Sequence, residues 1–355
     1  MDITAAADLR AVSIRGQSVR DPSTHRSSPK LGPAGATLPD IACREQHDGS
    51  CTVAILLCSM HGQHFIAEQL ESIAAQTYPH WSVWISDDGS QDNTHGIIRQ
   101  YRSNWGDSRI SIQAGPTQGY AANFLSLTRQ KDIRAAYYAY ADQDDIWEPD
   151  KLSRAIDWLK TVPADVPALY CSRTRLIDEQ GREIGFSPLI RNPPSFANAL
   201  VQNIGAGNTI VFNEATRDLL RAAGEDVPIV AHDWWAYQVV TGCGGQVFYD
   251  PYPSVRYRQH LNNLVGSNAG WSGKLWRAKE LLRGRLRHWN DINITALENL
   301  FSQLTPENRA ILEEFRKARN RWLIPRLAGI RRSGVNRQTL PGNIGLALAA
   351  LLKKI

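Results

Sequence analysis

From residue 52 onward the apolar positions alternate between two patterns. TVAILLC, at 52–58, is an unbroken apolar run, as expected of a strand buried on both faces. Phe65, Ile66, Leu70 and Ile73 follow at helical spacing and predict a helix ending near QTYPHW. WSVWIS is a second short strand that stops at Asp87, Asp88, Gly89 and Ser90. Asp92 or Asn93 can then cap a helix through Ile97, Ile98 and Tyr101, and Arg109 to Ala114 supplies a third strand. A helix from Ala121 to Thr128 and an aromatic strand from Ala136 to Ala141 continue the alternation. Strand and helix repeating at this spacing predict an α/β fold, a parallel and doubly wound sheet with helices on both faces. Ligands of such a sheet bind beyond the carboxyl ends of its strands. Three segments occupy those positions: Ser59 to Gly62, Asp87 to Ser90, and Asp142 to Asp145.

Beyond Lys160 the pattern loosens. Apolar ALYCS at 168–172 and NTIVF at 208–212 read as strands, Ala215 to Ala222 and Asp233 to Val240 as helices, and DPYPSV as a Pro-rich turn. From Trp271 the chain reads as helical, with Ala278, Leu282, Leu286 and Trp289 three or four apart and Lys274, Arg277, Arg283, Arg285 and Arg287 on other faces. Residues 1–50 mix Ser, Pro, Gly and balanced charge without periodicity, which predicts a flexible tail. The domain boundaries expected are therefore a tail at 1–50, an α/β domain at 51–268 and a helical extension at 269–355.

Charge sharpens that division. Residues 51–270 carry 17 basic and 23 acidic side chains, whereas 271–355 carry 17 basic and 6 acidic. A basic end suits an anionic neighbour: a membrane surface, nucleic acid or a phosphorylated substrate. A merely solvated basic face stays open beside these. The hydrophobic share of 43% can fill a sizeable core. Five cysteines, odd in number and without a CxxC pair, favour reduced thiols in a cytosolic compartment over disulfides or zinc. No stretch reaches the ~18 apolar residues of a membrane span, and the start has no secretory apolar core. The expectation is a cytoplasmic protein, free or held at the inner face of a membrane.

The carboxylates carry the chemistry. In extended backbone, side chains two apart point the same way, so Asp142 and Asp144 can converge while Asp145 turns aside. Converging carboxylates repel unless a cation neutralises them. Hard oxygen ligands suit Mg²⁺ or Mn²⁺, and Mg²⁺ is commonly held by one or two carboxylates plus substrate phosphates. The competing interpretation is that DQDD caps a helix beginning near Glu148 to Leu152. Likewise, DDGS can be a Gly-containing turn whose Asp caps the next helix. Arg258 and His260, shortly after the Pro-rich turn, can bind diphosphate oxygens in a lid, or can be ordinary loop residues.

Three ordered segments, CSMHGQHFIAEQLESIAAQTYP, WISDDGSQDNT and ADQDDIWEPDKL, resemble the family 2 glycosyltransferases with the GT-A fold. The similarity is greatest to the subgroup containing bacterial rhamnosyltransferases of surface polysaccharides, and it continues more weakly through HDWW at 232–235 and YRQHLNNLVG at 257–266. It implies that Ser59, Asp87 and Asp88 hold the donor nucleotide, with Asn123 near the donor. It further implies that Asp142 lies near ribose and metal, that Asp144 binds the metal bridging the diphosphate, and that Asp233 is the catalytic base. Asp233 as a plain helix cap remains the alternative. Trp234 and Trp235 can line an acceptor pocket, because sugars present apolar faces to aromatic rings, or can simply pack.

The implied activity is inverting, metal-dependent transfer of a sugar from a nucleotide donor, L-rhamnose from dTDP-rhamnose, to a growing polysaccharide or lipid-linked glycan. A UDP-hexose donor and a non-catalytic nucleotide- or glycan-binding relative are the alternatives. The extension, with Trp271, Trp276 and Trp289 among its cations, is expected to touch the membrane peripherally. Nucleic acid is not an expected partner. One departure concerns the first loop, usually T-Y-N-G in the family and Ser59-Met60-His61-Gly62 here, which removes an aromatic from the base site.

Overall fold

The computed structural model describes residues 52–225, 227–260 and 283–355. The predicted alternation is present: β1 (Val53–Ser59), α1 (Ile66–Ala74), β2 (Trp81–Asp87), α2 (Thr94–Trp105), β3 (Ile110–Ala114), α3 (Tyr120–Arg129) and β4 (Tyr137–Ala141). β5 (Ile146–Trp147), α4 (Lys151–Leu159), β6 (Ala168–Ile177), β7 (Glu183–Phe186), α5 (Phe196–Ala199), β8 (Val211–Asn213), α6 (Glu214–Ala222), α7 (His232–Gly242) and β9 (Gln246–Arg258) follow. Among the described residues four helices then follow, α8 (Arg285–Glu298), α9 (Pro306–Asn320), α10 (Leu323–Arg332) and α11 (Leu340–Leu351).

All these strands join one sheet in the order β3-β2-β1-β4-β8-β6-β9-β5, with β7 on β6. β3, β2, β1 and β4 run parallel to one another, β8 runs antiparallel to β4 and β6, and β9 is parallel to β6. The parallel half explains the unbroken apolar runs, since helices cover both of its faces. β1 sends Val53, Ile55 and Leu57 into one apolar cluster with α1, α2 and α4. It sends Ala54, Leu56 and Cys58 into the other, with α3, α7 and side chains from all four C-terminal helices. Leu297, Leu304, Leu312, Phe315 and Leu346 therefore share a core with Trp235 and Val239.

β9 was not anticipated. DPYPSV, expected to be a Pro-rich turn, lies inside this 13-residue strand. Proline can sit in a strand where the ladder is interrupted, and the pairing with β6 shifts register near Arg173 opposite Pro253. DQDD does not cap α4, because the short strand β5 intervenes and the residue before α4 is Asp150, whose side chain makes no cap hydrogen bond. The expectations for residues 1–50, Lys274, Arg277, Ala278, Leu282, Trp271 and Trp276 lie outside the described residues, as does most of 257–266. Of the described cysteines, Cys58, Cys171 and Cys243 are free thiols.

Trp235 is fully buried in the cluster shared by α7 and the C-terminal helices. Replacing it with Ala is expected to cost about 3–5 kcal/mol of stability, read as a lower midpoint in chemical denaturation.

Candidate active site

The strand ends meet where the sequence places them. Ser59 closes β1 and donates its hydroxyl to Asp87 Oδ2 at 2.7 Å. Asp87 ends β2 and is saturated by its own loop, taking Ser90 N (2.7 Å), Gly89 N (3.2 Å) and Ser90 Oγ (2.7 Å), with His95 Nε2 3.1 Å away. Burial alone would raise its pKa, but the hydrogen bonds from Ser90 and Ser59 outweigh burial and hold the carboxyl below its usual range. Ser59 and Asp87 thus form the frame of the loop. Asp88, one residue further, accepts Thr117 N at 2.6 Å. Asn123, at the start of α3, donates to Ser86 O at 3.1 Å, while its buried Oδ1 has no hydrogen-bond partner.

The first loop is fixed from the opposite side. Gln143, between the two aspartates, exchanges two 2.9 Å hydrogen bonds with the backbone of Met60. A Cβ on Gly62 would run into this carboxamide, so the SMHG turn requires glycine there. His61 and Thr117, which flank this cleft, adopt left-handed backbone with φ of 54° and 55°.

Residues 142–145 bend rather than continuing the extended strand, with Asp142 and Asp144 half-buried and Asp145 buried. Burial first, then the charges of Asp144 and Asp233, pushes the Asp142 pKa well above the carboxylate range. The base candidate therefore acts on the same carboxylate as the metal candidate. Asp144 Oδ2 meets His260 Nε2 at 2.7 Å, and the His260 ring stacks on Phe65 with centroids 5.3 Å apart. Asp145 is fully buried, accepts Asn208 Nδ2 and Arg258 N, and is driven well upward in pKa by burial and by Asp144 and Asp142. Behind it Lys151 Nζ lies 3.6 Å from the Trp147 ring centroid without a hydrogen-bond acceptor, and burial pulls its pKa down to about 7 against the pull of Asp145.

Arg258 departs from its expected lid role. It ends β9 at 2% exposure, and its guanidinium is committed to Asp144 O (2.9 Å), Glu179 O (3.0 Å) and the Glu68 carboxylate. It ties the acidic loop to β6 and α1. Both indoles also fit the packing alternative. Trp235 has no exposed surface, and Trp234 is 6% exposed with Nε1 donating to Ala199 O at 2.6 Å. Trp289 is turned inward, edge-on to Trp234 at 6.0 Å with Arg285 over its face.

Asp233 lies in the first turn of α7, whose N-cap residue is Ala231, so it does not cap this helix. Its Oδ1 accepts Trp234 N at 2.7 Å. Burial raises its pKa to about 6, opposed by hydrogen bonds from Trp234 N and the Asn203 side chain. Several of its supports were not foreseen in the sequence. His232 stacks on Phe124 at 3.8 Å and meets Tyr140 edge-on at 4.8 Å, and burial keeps it neutral by lowering its pKa to about 3. Burial, with the charges of Asp233 and Asp142, raises the Tyr120 phenol to about 12, and its hydroxyl donates to Val230 O at 3.3 Å. The only sequence signal was the glycine-rich GAGNT segment at 205–209. A Cβ at Gly207 would lie 2.5 Å from His232 Nε2 and 3.6 Å from Asp233 Cβ. His232 is clamped between rings and cannot yield. Gly207→Ala is therefore expected to displace Asp233 and lower sugar transfer about 10²-fold, with the melting temperature changed far less.

Residues 54–213 match the family model described as glycosyl transferase family 2. The chain carries a family 2 glycosyltransferase domain. It is 29% identical over 257 residues to the dTDP-rhamnosyl transferase RfbG of Shigella flexneri, covering 68% of this chain and 83% of that protein. It is 31% identical over 107 residues to the UDP-Glc:alpha-D-GlcNAc-diphosphoundecaprenol beta-1,3-glucosyltransferase WfgD of Escherichia coli, covering 30% of this chain and 40% of that protein. The chain is similar to the crystal structure of S. aureus TarS 1–349 in complex with UDP-GlcNAc, with TM-score 0.49 and 14% identity over 85% of this chain and 89% of that one. At that distance the likeness carries no argument. The family 2 match over residues 54–213 and the similarity to RfbG support a sugar-transferring enzyme close to the rhamnosyltransferases, and the fold is a mixed α/β sheet with flanking and C-terminal helices.

Among the described residues no group of three or more His, Cys, Asp or Glu side chains is arranged to enclose a metal by itself. The donor set nevertheless fits a hard divalent cation that completes its shell with phosphate oxygens. Asp144 and His260 meet at 2.7 Å, and burial with the charges of Asp144 and Asp233 disfavours the ionised Asp142, which a cation would offset.

Proposed function

We propose that this glycosyltransferase performs metal-dependent, inverting transfer of L-rhamnose from dTDP-rhamnose to a growing polysaccharide or lipid-linked glycan. What supports the proposal is the family 2 glycosyl transferase match over residues 54–213, together with the electrostatic influence of Asp144 and Asp233 on Asp142. The name of RfbG supports the rhamnosyl donor, and that of WfgD supports a lipid-linked acceptor.

In this reading Asp88 and Asn123, on the frame built by Ser59 and Asp87, take up the nucleotide. Asn123 Oδ1 offers an unsatisfied buried acceptor for an N–H of the base. Asp142, Asp144 and His260 would hold Mg²⁺ or Mn²⁺, which stabilises the departing diphosphate when bound. Asp145, Arg258, Lys151 and Gln143 keep those ligands in place. Asp233 takes the proton from the acceptor hydroxyl, and that oxygen attacks the anomeric carbon from the face opposite the leaving group. The bond from the anomeric carbon to the diphosphate oxygen breaks, its electron pair leaves with the nucleotide, and the configuration inverts. Arg258 and the indoles of Trp234 and Trp235 take no part in these contacts. The domain division at 268 and a peripheral membrane contact within 269–355 belong to the same proposal. The test is donor turnover across dTDP-, UDP- and GDP-sugars with Mn²⁺ or Mg²⁺. Preference for dTDP-rhamnose supports the donor assignment, and preference for a UDP-hexose overturns it.

A further inference from the structure

Among the described residues, the C-terminal helices carry an exposed apolar face. α11 is two-sided: Leu346, Ala349 and Ala350 enter the core, while Leu340, Ile344, Leu348 and Leu351, one face at helical spacing, are 44–74% exposed. α11 contains no charged residue. Trp322, Leu323 and Ile324, at the start of α10, are 43–67% exposed. The two sets adjoin, because Arg326, one turn into α10, donates to Leu351 O at 3.4 Å.

The charge around this face has one sign. Residues 315–355 hold ten Lys or Arg and no Asp or Glu. The nearby acids Asp291, Glu298, Glu313 and Glu314 are engaged by Arg319, Arg316, Lys317 and Arg332. Arg321, Arg331 and Lys353 remain exposed beside the apolar residues.

We propose that α10 and α11 dock this chain on an anionic lipid surface, with the apolar ridge entering the interface and the cations meeting headgroup phosphates. Uncovered leucines in a field of cations fit that surface better than a second copy of this chain, which would set like charges against each other. The inference deepens the proposed function and rests on it only for the lipid-linked acceptor. Lys353 O accepts Arg287 Nη1 at 3.3 Å, and Arg287 shares the first turns of α8 with Trp289, which packs on Trp234 beside Asp233. The docking face is thereby joined to the acceptor side of the cleft.

Co-sedimentation of the full chain tests this with vesicles of phosphatidylcholine alone and with one third phosphatidylglycerol. Binding at least about tenfold stronger to the anionic vesicles, and weakened by high salt, is expected. Ile344→Glu with Leu348→Glu should lower it at least about tenfold, with melting temperature and metal-dependent donor hydrolysis unchanged. Trp322→Glu with Ile324→Glu, on the other helix, should do the same and stands in if the first variant fails to fold. Equal binding to both vesicles, or undiminished binding by folded Glu variants, overturns the proposal. So does a dimer that the Glu variants split without any vesicle binding. A wild-type chain that hydrolyses donor but ignores vesicles defeats only the docking, whereas one that binds vesicles but turns over no donor defeats only the transfer reading.

Discussion

Asp233→Asn should lower transfer to acceptor by about 10²- to 10⁴-fold, the usual worth of a positioned general base. The amide keeps the size of the side chain and an oxygen to accept Trp234 N, so the loss belongs to proton transfer rather than to folding. The pH profile separates the two. Burial holds the Asp233 pKa at about 6, and the base must be ionised to act. The wild-type kcat/KM is therefore expected to fall about tenfold per unit as pH drops below 6 and to level off above it, a limb that Asp233→Asn lacks. The stability sign runs the other way. A carboxyl with a raised folded pKa prefers to be protonated in the fold, so stability is lost as pH rises from the usual carboxylate value through about 6 and stays at the reduced level above it. At pH 8 the Asn variant should melt no lower than wild type. A melting point several degrees lower, or an unchanged acid limb, would show that Asp233 is not the base.

Asp144→Ala should reduce donor turnover at least about 10²-fold, because a divalent ion contributes several kcal/mol to the leaving group and each ~1.4 kcal/mol is tenfold in rate. Asp144 is the carboxylate that meets His260 at 2.7 Å, and its backbone carbonyl, which anchors Arg258, survives the change. The loop should therefore persist while the metal ligand disappears, and excess Mn²⁺ should not restore the rate. Full activity in this variant would remove Asp144 from the metal site. The same substitution should leave Asp145 bound to Asn208 and Arg258, so the thermal midpoint is expected to change little.

How much of this was legible follows from the physics of each segment. β1, β2 and β4 announced themselves because parallel strands covered on both faces must be apolar throughout. The acidic cluster at 142–145 was legible as a strand end, but its bend was not, because period-two alternation applies only to extended backbone. β9 stayed hidden because two prolines interrupt a strand that is only partly buried and carries no clean period. The contacts of Arg258 were not legible because its partners Glu68, Asp144 and Glu179 are joined only by the folded sheet. The clamp of Phe124, Tyr140 and Gly207 on His232 was equally invisible, since it draws on four separate segments. Trp234 and Trp235 show the reverse error, in which aromatic residues beside a catalytic candidate belong to the core.

In the proposed function, one cleft uses a divalent cation and its carboxylates to release the nucleotide of a sugar donor. The direct measurement is release of dTDP from dTDP-rhamnose by the full chain, in chelator and after Mn²⁺ is restored. Release that falls to background in chelator and returns with Mn²⁺ is the predicted result. Undiminished release in chelator would contradict the account.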